Sequence, residues 1–396
     1  MIKRIDLFMP PFSQYGVLNH MTCDIHEALV RAGIDCRLLT AEHDNPKPFL
    51  DAIFSNLPDC TFSLNGLLPD STGRFFCDMI KIPHIACLVD SPNQFAALAQ
   101  SKRNIITCPD IYATQVFKEL KCQNVLFFPH GVNRNLTPDE RLEKKYDVTF
   151  LGSSIDYKAI ENSWKSKYPK RLYEALKQAA EMTLSDQTTP YVEAFVDALN
   201  DNIPQSEPLD PNTFHLMQIL DELEMYIRGK DRAELIKSIK DAKVHVFGQG
   251  KHDNGWKKYI GAQNHNISIH NAVPFEKALE IMKQSKIILN SCPWIKNGGH
   301  ERIFSGIACG ALVITSDNPY MDKHFKDGQD IAYYYHDRLK DVNELVNRYL
   351  KDDSLRSSVI EQGIIKVKQG HTWDHRVASL LEQLPPLLEG IQIQHI

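Results

Sequence analysis

The sequence predicts an α/β protein built from two doubly wound domains. Short, almost wholly apolar runs alternate with helical stretches over the first 130 residues, and a second series of the same kind begins near residue 147. Parallel strands that are covered by helices on both faces have this nearly continuous apolar character. The length of 396 residues also fits two domains better than one, since domains cluster near roughly 100–200 residues.

The first domain is expected to span residues 1–135. Its helix candidates are Asn19–Ala32 and Ile111–Leu120. Its predicted strands are Ile5–Met9, Cys36–Leu39, Thr61–Leu64, His84–Val89, Ile105–Thr107 and Val125–Phe128. The alternation of strand and helix predicts a parallel sheet.

A polar, charged stretch that contains Pro138, Asn133–Lys145, is the predicted linker. The second domain is expected over residues 145–370. Its predicted strands are Asp147–Leu151, Val244–Phe247, Ile267–Ile269, Ile287–Asn290, Leu312–Thr315 and Ile331–Tyr335.

Between the first two of these strands lies an insertion, residues 157–240, that is rich in Leu, Ala, Glu and Lys. It is predicted to be mostly helical, with breaks near Pro190 and around Pro204–Pro211. A long helix is predicted over Val342–Val367, interrupted near Gly363. Residues 371–396 carry apolar residues at helical spacing. They are expected to form an amphipathic helix that packs back on the first domain.

Composition excludes several classes of protein. Lys and Arg number 45 and Asp and Glu 50, a formal charge of -5, so no general basic field is available for nucleic acid. No apolar run approaches the roughly 18–20 residues that cross a bilayer, and the N-terminus does not read as a signal peptide. The nine cysteines include no CxxC pair. Reduced thiols and a cytoplasmic location are therefore expected, and a zinc site is not.

Polar residues follow several of the predicted strands, where the ligands of doubly wound sheets bind. In Phe150–Ser154 (FLGSS), Gly152 and Ser153 favour either a phosphate site or a simple strand-to-helix turn. Neither GxGxxG nor GxxxxGK[ST] is present, which disfavours a standard dinucleotide site and a P-loop NTPase.

Two further loops are candidates for the same edge of the second sheet. VFGQG, Val246–Gly250, brings Gly248 and Gln249 after a strand, although it also fits a plain turn. In AVPF, Ala272–Phe275, Pro274 and Phe275 lead into a helix. A loop of this kind can hold a nucleobase against apolar surface through backbone polar groups.

The most informative segment is Cys292–Asn318. A loop with Gly298 and Gly299 leads into a helix that starts near His300 or Glu301 and ends at Gly310. A helix N-terminus offers free N–H groups and a positive dipole end. His300 and Arg302 could add donors to a diphosphate; the alternatives are a helix cap for His300 and a solvated charge for Arg302.

This segment resembles the C-terminal domain of GT-B glycosyltransferases, in particular the group 1 and CgeB-like families. Four other segments share the resemblance: FPHGVN (Phe128–Asn133), YDVTFLGS (Tyr146–Ser153), NAVPF, and HTWDHR (His371–Arg376). It is specific over about residues 124–155 and 243–380. It implies two Rossmann-like domains facing a central cleft, the GT-B fold, with the nucleotide sugar bound by the second domain and the acceptor by the first.

One departure bears on the mechanism. Retaining members of the resembled group carry a Glu-x7-Glu pair that holds the donor sugar and the ribose. Asn297 and Ser305 stand at those positions. They keep hydrogen-bonding ability but lose the charge, and Glu301 is a candidate to supply a carboxylate instead. Whether configuration is retained or inverted therefore stays open.

The catalytic candidates are in the first domain, because glycosyl transfer needs an acceptor oxygen made nucleophilic. Asp90 directly follows a predicted strand, and its alternative role is an N-cap with Pro92 in the first turn. His130 also follows a strand or is a linker residue. His20 begins the first long helix and would otherwise cap or pack that helix.

These observations together predict a glycosyltransferase that uses a nucleotide-diphosphate sugar. A UDP-sugar is the expected donor and a glycan or protein the expected acceptor, with the insertion a candidate for recognising it. No Asp-x-Asp is present, so metal-independent chemistry is expected and no cofactor is called for. Two other hypotheses for the function remain: a sugar-nucleotide epimerase or hydrolase of the same fold, and a non-catalytic sugar-nucleotide or glycan-binding protein.

Overall fold

The computed structural model describes residues 2–42, 44–204, 214–249, 255–260 and 265–393. The chain forms two compact units. Unit 1 comprises Met1–Leu136 and Lys368–Ile396, and unit 2 comprises Thr137–Val367. In the described part of the chain, no helix is long and apolar enough to span a membrane.

Unit 1 is built on a six-stranded parallel sheet of order β2-β1-β3-β4-β5-β6. The strands are β1 (Arg4–Phe8), β2 (Asp35–Leu39), β3 (Cys60–Leu64), β4 (His84–Cys87), β5 (Asn104–Cys108) and β6 (Val125–Phe127). The α-helices between them are α1 (Val17–Arg31), α2 (Lys47–Ser55), α3 (Phe76–Ile80) and α4 (Ile111–Glu119). Short 3-10 helices occupy Gln14–Gly16 and Pro92–Gln100.

Unit 2 has a second six-stranded parallel sheet, of order β12-β11-β10-β7-β8-β9. The strands are β7 (Tyr146–Leu151), β8 (Val244–Gln249), β9 (Ile267–Asn271), β10 (Ser285–Leu289), β11 (Leu312–Ser316) and β12 (Ala332–Tyr334). The helices that follow β8 to β11 are α9 (Gly255–Tyr259), α10 (Phe275–Lys283), α11 (Glu301–Ala308) and α12 (Pro319–His324). After β12 come a 3-10 helix (His336–Asp341), α13 (Val342–Lys351) and α14 (Asp353–Gly370).

These strand orders confirm the predicted α/β class of two Rossmann-like, doubly wound domains. In unit 2 the order reverses between β7 and β10, and in unit 1 between β1 and β3. Ligands of such sheets bind beyond the carboxyl ends of the strands at the point of reversal. The loops after β7 and β10 are therefore the first place to look for a site in unit 2.

The helical insertion in unit 2 consists of α5 (Tyr157–Lys167), α6 (Lys170–Ser185), α7 (Tyr191–Asn202) and α8 (Leu216–Ser238). The predicted break at Pro190 is present, because Pro190 is the N-cap of α7. Most of the break predicted around Pro204–Pro211 lies outside the described residues. Buried residues of the insertion, such as Leu176 and Leu223, share one apolar cluster with Phe150 of β7. The insertion is thus part of the core of unit 2.

The last helix, α15 (Trp373–Ile393), belongs to unit 1. The HTWDHR segment attaches it: Trp373 is fully buried, and its backbone N–H donates to the Val132 carbonyl at 3.0 Å. Arg376 donates to the His130 carbonyl at 3.0 Å. A Cβ on Gly131 would stand 2.9 Å from the Trp373 nitrogen, so this contact requires glycine. The segment therefore joins the end of the chain to the end of β6.

The predicted interruption of the long helix at Gly363 is wrong. The break falls at Asp352, between α13 and α14, and Gly363 lies inside α14. A Cβ at Gly363 would stand 2.5 Å from the carbonyl oxygen of Asp330. This glycine therefore serves close packing of the helix and does not interrupt it.

The predicted linker is attached to unit 2 near its C-terminal end. Lys144 is half-buried, and its Nζ donates to the Gly310 carbonyl at 2.5 Å, just beyond the C-terminus of α11. A cation at a helix C-terminus satisfies carbonyls that have no partner in the helix. The contact lies within unit 2, which begins at Thr137.

Candidate functional site

The loop between β10 and α11 is almost wholly buried. Of residues 291–300, only Asn297 and His300 are half-buried, and the others are buried. Asn318, the N-cap of α12, donates from its side-chain amide to the Gly298 carbonyl at 3.1 Å. A Cβ on Gly299 would stand 2.4 Å from the ring of Phe304. Gly298 and Gly299 are therefore fixed by packing, and Asn297 and His300 are the loop side chains that a ligand could reach.

His300 is the N-cap of α11, because its Nδ1 accepts from the Arg302 backbone N–H at 3.2 Å. The helix begins at Glu301, as predicted to within a residue. Glu301 and Ser305 are 6% and 3% exposed. As placed, neither offers its side chain to solvent, so the two candidate sugar ligands on this helix lie beneath the surface.

Three arginines converge beside the ends of β7 and β10. Arg302 comes from the first turn of α11, and Arg228 and Arg232 are one turn apart on α8. Burial, together with the neighbouring Arg228 and Arg302, lowers the pKa of Arg232 to about 9. Burial raises the pKa of the Cys292 thiol, which follows β10, to about 12, and all three guanidiniums act against that rise. All three guanidiniums therefore lie near Cys292, at the reversal of the sheet.

Two N–H groups of this cluster lack partners among the described residues. The Nη1 of Arg302 and the Nε of Arg232 are both buried without a hydrogen bond. Arg232 does donate from Nη1 to the Ser153 carbonyl at 2.9 Å, in the loop after β7. Unsatisfied buried donors cost free energy, and like charges four residues apart on a helix repel. Glu224 already pairs with one of the three arginines, since it accepts from the Arg228 Nη1 at 2.9 Å. The arrangement suits an anion that would satisfy the two open donors and offset the remaining positive charge.

The loop after β7 differs from its prediction in one respect. The Gly152 amide donates to the Phe247 carbonyl at 2.9 Å, and its carbonyl accepts from the Trp256 indole at 3.0 Å. Both backbone groups are thus already used, so Gly152 does not offer its amide to a phosphate. The close approach of the two strand ends explains the glycine at position 248, because a Cβ on Gly248 would stand 2.0 Å from the Gly152 oxygen. The half-buried Ser153 remains available through its side chain.

The two remaining loop predictions of unit 2 can be placed only in part. Pro274 is exposed and is the N-cap of α10, whose first residue, Phe275, is 9% exposed. Gln249 ends β8, but its side chain and Gly250 lie outside the described residues. Within the described ranges, no group of three or more His, Cys, Asp and Glu side chains is placed to hold a metal.

In unit 1, Asp90 is exposed just beyond the end of β4. Asn65, which follows β3, donates from its Nδ2 to the Asp90 carboxylate at 2.8 Å, and its Oδ1 accepts from the Val89 N–H at 3.0 Å. Asn65 and Gly66 both have positive φ, 59° and 69°. This turn holds the Asn65 side chain under Asp90. The alternative role of Asp90 as an N-cap is wrong, because Ser91 precedes the 3-10 helix.

His130 and His20 lie in different surroundings. His130 is 2% exposed, and burial lowers its pKa to about 3, aided by the charge of Arg376. An imidazole of that pKa is a poor proton acceptor near neutral pH. His20 is 30% exposed, and its Nε2 lies 3.7 Å from the Asp24 carboxylate. Asp24 also accepts from the Asn133 amide at 2.6 Å, so His20 belongs to a polar row on α1.

Comparison with known proteins agrees with this architecture. Residues 230–382 match the family model described as "Glycosyl transferase-like". An uncharacterized protein of Aquifex aeolicus is 19% identical over 319 residues, which cover 74% of this chain and 77% of that protein. The family model supports the predicted enzyme class, a glycosyltransferase.

Solved structures of the same fold include three that match along nearly the whole chain. Sucrose-phosphate synthase from Thermosynechococcus elongatus has a TM-score of 0.55 at 10% identity, covering 98% of this chain and 100% of that one. HepE of Anabaena, in complex with UDP and glucose, has a TM-score of 0.53 at 9% identity and covers 97% and 99%. A glycosyltransferase from Rickettsia africae has a TM-score of 0.51 at 12% identity and covers 98% and 99%. These likenesses confirm the GT-B fold class.

Sequence reasoning missed Arg228 and Arg232. Both lie in an insertion that was interpreted only as a helical segment, and no strand precedes them directly. A signal was nevertheless present. Arg-x-x-x-Arg places two like charges on one face of a helix, where they repel, and the flanking Ile227, Ala233 and Leu235 mark that helix as buried.

Proposed function

We propose that this glycosyltransferase moves a sugar from a nucleotide-diphosphate sugar to an acceptor hydroxyl. The observation that carries the proposal is the convergence of Arg228, Arg232 and Arg302 at the sheet reversal of unit 2, with buried N–H groups on two of them that lack partners among the described residues. Guanidinium groups bind phosphate oxygens through paired, charge-assisted hydrogen bonds. A diphosphate would supply acceptor atoms for these N–H groups and negative charge beside the guanidiniums of Arg232 and Arg302.

The donor is proposed to be a UDP-sugar. HepE of Anabaena has been solved with UDP and with UDP-glucose, which supports this choice. The half-buried Asn297 and His300 at the end of the β10 loop would contact the sugar end of the donor. The narrower resemblance to the group 1 and CgeB-like families stays part of the proposal.

The acceptor oxygen forms a bond to the anomeric carbon while the bond from that carbon to the terminal phosphate oxygen breaks. The departing diphosphate takes the electron pair, and the three guanidiniums stabilise the added negative charge. The proton of the acceptor hydroxyl passes to a base of unit 1, for which the exposed Asp90 is the candidate. Because the side-chain cations serve the leaving group, activity is expected to persist in EDTA.

A nucleotide-release assay tests the proposal. The protein is incubated with UDP-glucose and related nucleotide sugars, in EDTA and in Mg²⁺, with and without glycan or protein acceptors from a lysate. Acceptor-dependent release of UDP supports transfer. Turnover without acceptor indicates the epimerase or hydrolase, and binding alone indicates a non-catalytic protein. Activity that needs Mg²⁺ contradicts the metal-independent part.

Asp90→Asn tests the base. The substituted amide oxygen can still accept from Asn65, so the shape of the turn is kept while the basicity is removed. Turnover is expected to fall by roughly 10²-fold or more, with the affinity for UDP unchanged in calorimetry. Asp51→Asn, which changes an exposed acid of α2 that pairs with Lys47 on the surface, is the matched control. Equal losses of turnover and UDP affinity would show a structural role for Asp90, and no loss at all would favour His20.

A further inference from the structure

A buried lysine connects the loop between β10 and α11 to the helical insertion. Lys296, in the loop after β10, is 2% exposed. Its ammonium group donates to the carbonyls of Thr183 at 2.6 Å and Asp186 at 2.8 Å, at the C-terminus of α6. The last carbonyls of a helix lack partners within it, and a cation there is favoured by the helix dipole. The loop thus closes the end of an insertion helix with a charge-assisted contact.

A second contact joins the same loop to α8. The hydroxyl of Ser291, the second residue after β10, donates to the carboxylate of Asp231, which is fully buried. The His336 ring lies 3.1 Å from the other oxygen of that carboxylate. Asp231 is adjacent in sequence to Arg232 of the arginine cluster. One turn of α8 therefore supplies both a guanidinium for the anion and a carboxylate for the loop.

Packing reinforces these two polar contacts. Cys292, Trp294 and Ile295 of the loop are 6%, 7% and 4% exposed, and they belong to the same apolar cluster as α6 and α8 of the insertion. A loop that is buried over this length normally leaves backbone groups to be satisfied. Here the insertion supplies the surface and several of the partners, and only Asn297 and His300 remain half-buried.

We propose that the helical insertion supports the donor site by holding the loop after β10 in place. Lys296 is then a positioning residue for the sugar end of the donor. Through Lys296 and Ser291 the insertion fixes the loop that carries Asn297 and His300. The inference rests on the proposed function, since it names how that same site is held. It also gives the insertion a role other than recognition of the acceptor.

The two ends of the donor should respond differently to a loosened loop. The diphosphate is held by arginines from α8 and α11, whereas the sugar is reached from residues of the loop. In Lys296→Met, the α6 carbonyls lose their cation and the loop loses its attachment. Affinity for UDP-glucose is expected to fall by about tenfold or more, while affinity for UDP changes by less than about threefold.

Calorimetry with UDP and with UDP-glucose provides the test, on the full chain as wild type, Lys296→Met and Lys296→Arg. Arginine keeps the charge and the donors, so it should restore most of the UDP-glucose affinity. Lys286→Met, which removes a lysine of β10 that pairs with Asp147 of the neighbouring β7, is the control and should bind both ligands normally. Equal affinities of wild type and Lys296→Met for UDP-glucose, or equal losses for both ligands, overturn the inference.

A measurement on the wild type covers the case in which Lys296→Met fails to fold. Hydrogen exchange at the C-terminal turns of α6, residues 179–186, should slow when UDP-glucose binds and slow less when UDP binds. Absence of that difference overturns the inference while leaving UDP binding, and with it the proposed function, intact. Failure of the wild type to bind either nucleotide overturns both.

Discussion

Arg232 carries a buried charge that lowers the stability of the folded protein. It is 8% exposed, and burial together with Arg228 and Arg302 lowers its pKa to about 9. Desolvating a charge beside two others of the same sign opposes folding. A side chain that lowers stability in the empty protein and sits at the carboxyl ends of the strands is best explained by the ligand that it binds.

Arg232→Met tests whether this arginine lowers the stability of the protein while it contributes to UDP binding. Removing the buried charge relieves the repulsion, although it also removes the hydrogen bond to the Ser153 carbonyl. The free energy of unfolding in urea is expected to stay within about 1 kcal/mol of wild type or to rise. Affinity for UDP is expected to fall by roughly 10–100-fold, the effect of losing a charge-assisted contact. Calorimetry and urea titration measure the two quantities.

The control for that variant is Arg141→Met, which removes an exposed arginine paired with Asp139. It should change neither quantity. A large loss of stability in Arg232→Met without a loss of UDP affinity would make Arg232 a structural residue and would remove the main support for the diphosphate site.

Among single residues, the sequence predicted one member of the arginine cluster, Arg302. Arg302 could be found because two glycines and a helix start precede it, and these mark a strand-end loop. Arg228 and Arg232 could not be placed, because their approach to Arg302 depends on how α8 packs against the sheet. That packing joins residues about 70 positions apart in the sequence, a distance over which local patterns carry no information.

Among the elements, the ends of β7 and β8 meet at an unusually close backbone contact. The Gly248 Cα faces the carbonyl of Gly152, and a Cβ on Gly248 would lie 2.0 Å from that oxygen, where no contact is possible without movement. Gly248→Ala must therefore push the two strand ends apart. We expect the free energy of unfolding to fall by about 1–3 kcal/mol, as measured by urea denaturation.

Gly390→Ala is the comparison for that experiment, because a Cβ there meets nothing within 4 Å and the residue is inside α15. Alanine in a helix should raise stability by about 0.5–1 kcal/mol. If Gly248→Ala matched wild type, the glycine of this loop would be explained better by approach of a ligand, as the sequence first indicated, than by the crossing of the two strand ends.

The elements themselves were largely predictable. Each predicted strand overlaps one in the structure, because buried parallel strands are continuous apolar runs that are bounded by polar residues. The break assigned to Gly363 was wrong for a general reason. Glycine in a helix can mark either an interruption or a close approach, and only the neighbouring Asp330 carbonyl distinguishes the two.

At the scale of the whole molecule, the two sheets share a class but not a strand order. Unit 1 places β2 at an edge beside β1, whereas unit 2 continues outward from β7 through β8 to β9. The sequence predicted two series of strands in chain order. It could not predict which strands become neighbours, because pairing between β1 and β3 or between β7 and β10 is decided by crossovers that apolar periodicity does not record.

The two units should also differ in their response to acid. In unit 1, His84 and His130 are 1% and 2% exposed, and burial lowers the pKa of each to about 3. The single ring of His84 stays neutral in the fold: its Nδ1 lies 2.8 Å from the Thr61 hydroxyl and its Nε2 lies 2.9 Å from the Ser63 hydroxyl. In the unfolded chain the same imidazoles titrate near 6.5.

The direction of the effect follows from the proton count. The folded state binds fewer protons than the unfolded state between the two pKa values, so stability is complete above about pH 6.5 and is lost as the pH falls toward 3. Between pH 6.5 and pH 5, each histidine should cost about 2 kcal/mol. In unit 2 the shifts have both signs, because burial lowers the pKa of His245, His270 and His336 but raises that of Asp317 to about 6 and also raises that of Glu234.

Hydrogen exchange at pH 7 and pH 5, corrected for the intrinsic rates, measures both units in one sample. Peptides from β3, β4 and β5 of unit 1 should lose protection at pH 5 by more than peptides from β7 and β10 of unit 2. In His84→Gln, which cannot take up the proton, the loss in unit 1 should be about half as large, since His130 still titrates. Equal changes in both units, or an unchanged loss in the variant, would mean that these two histidines do not control the acid response of unit 1.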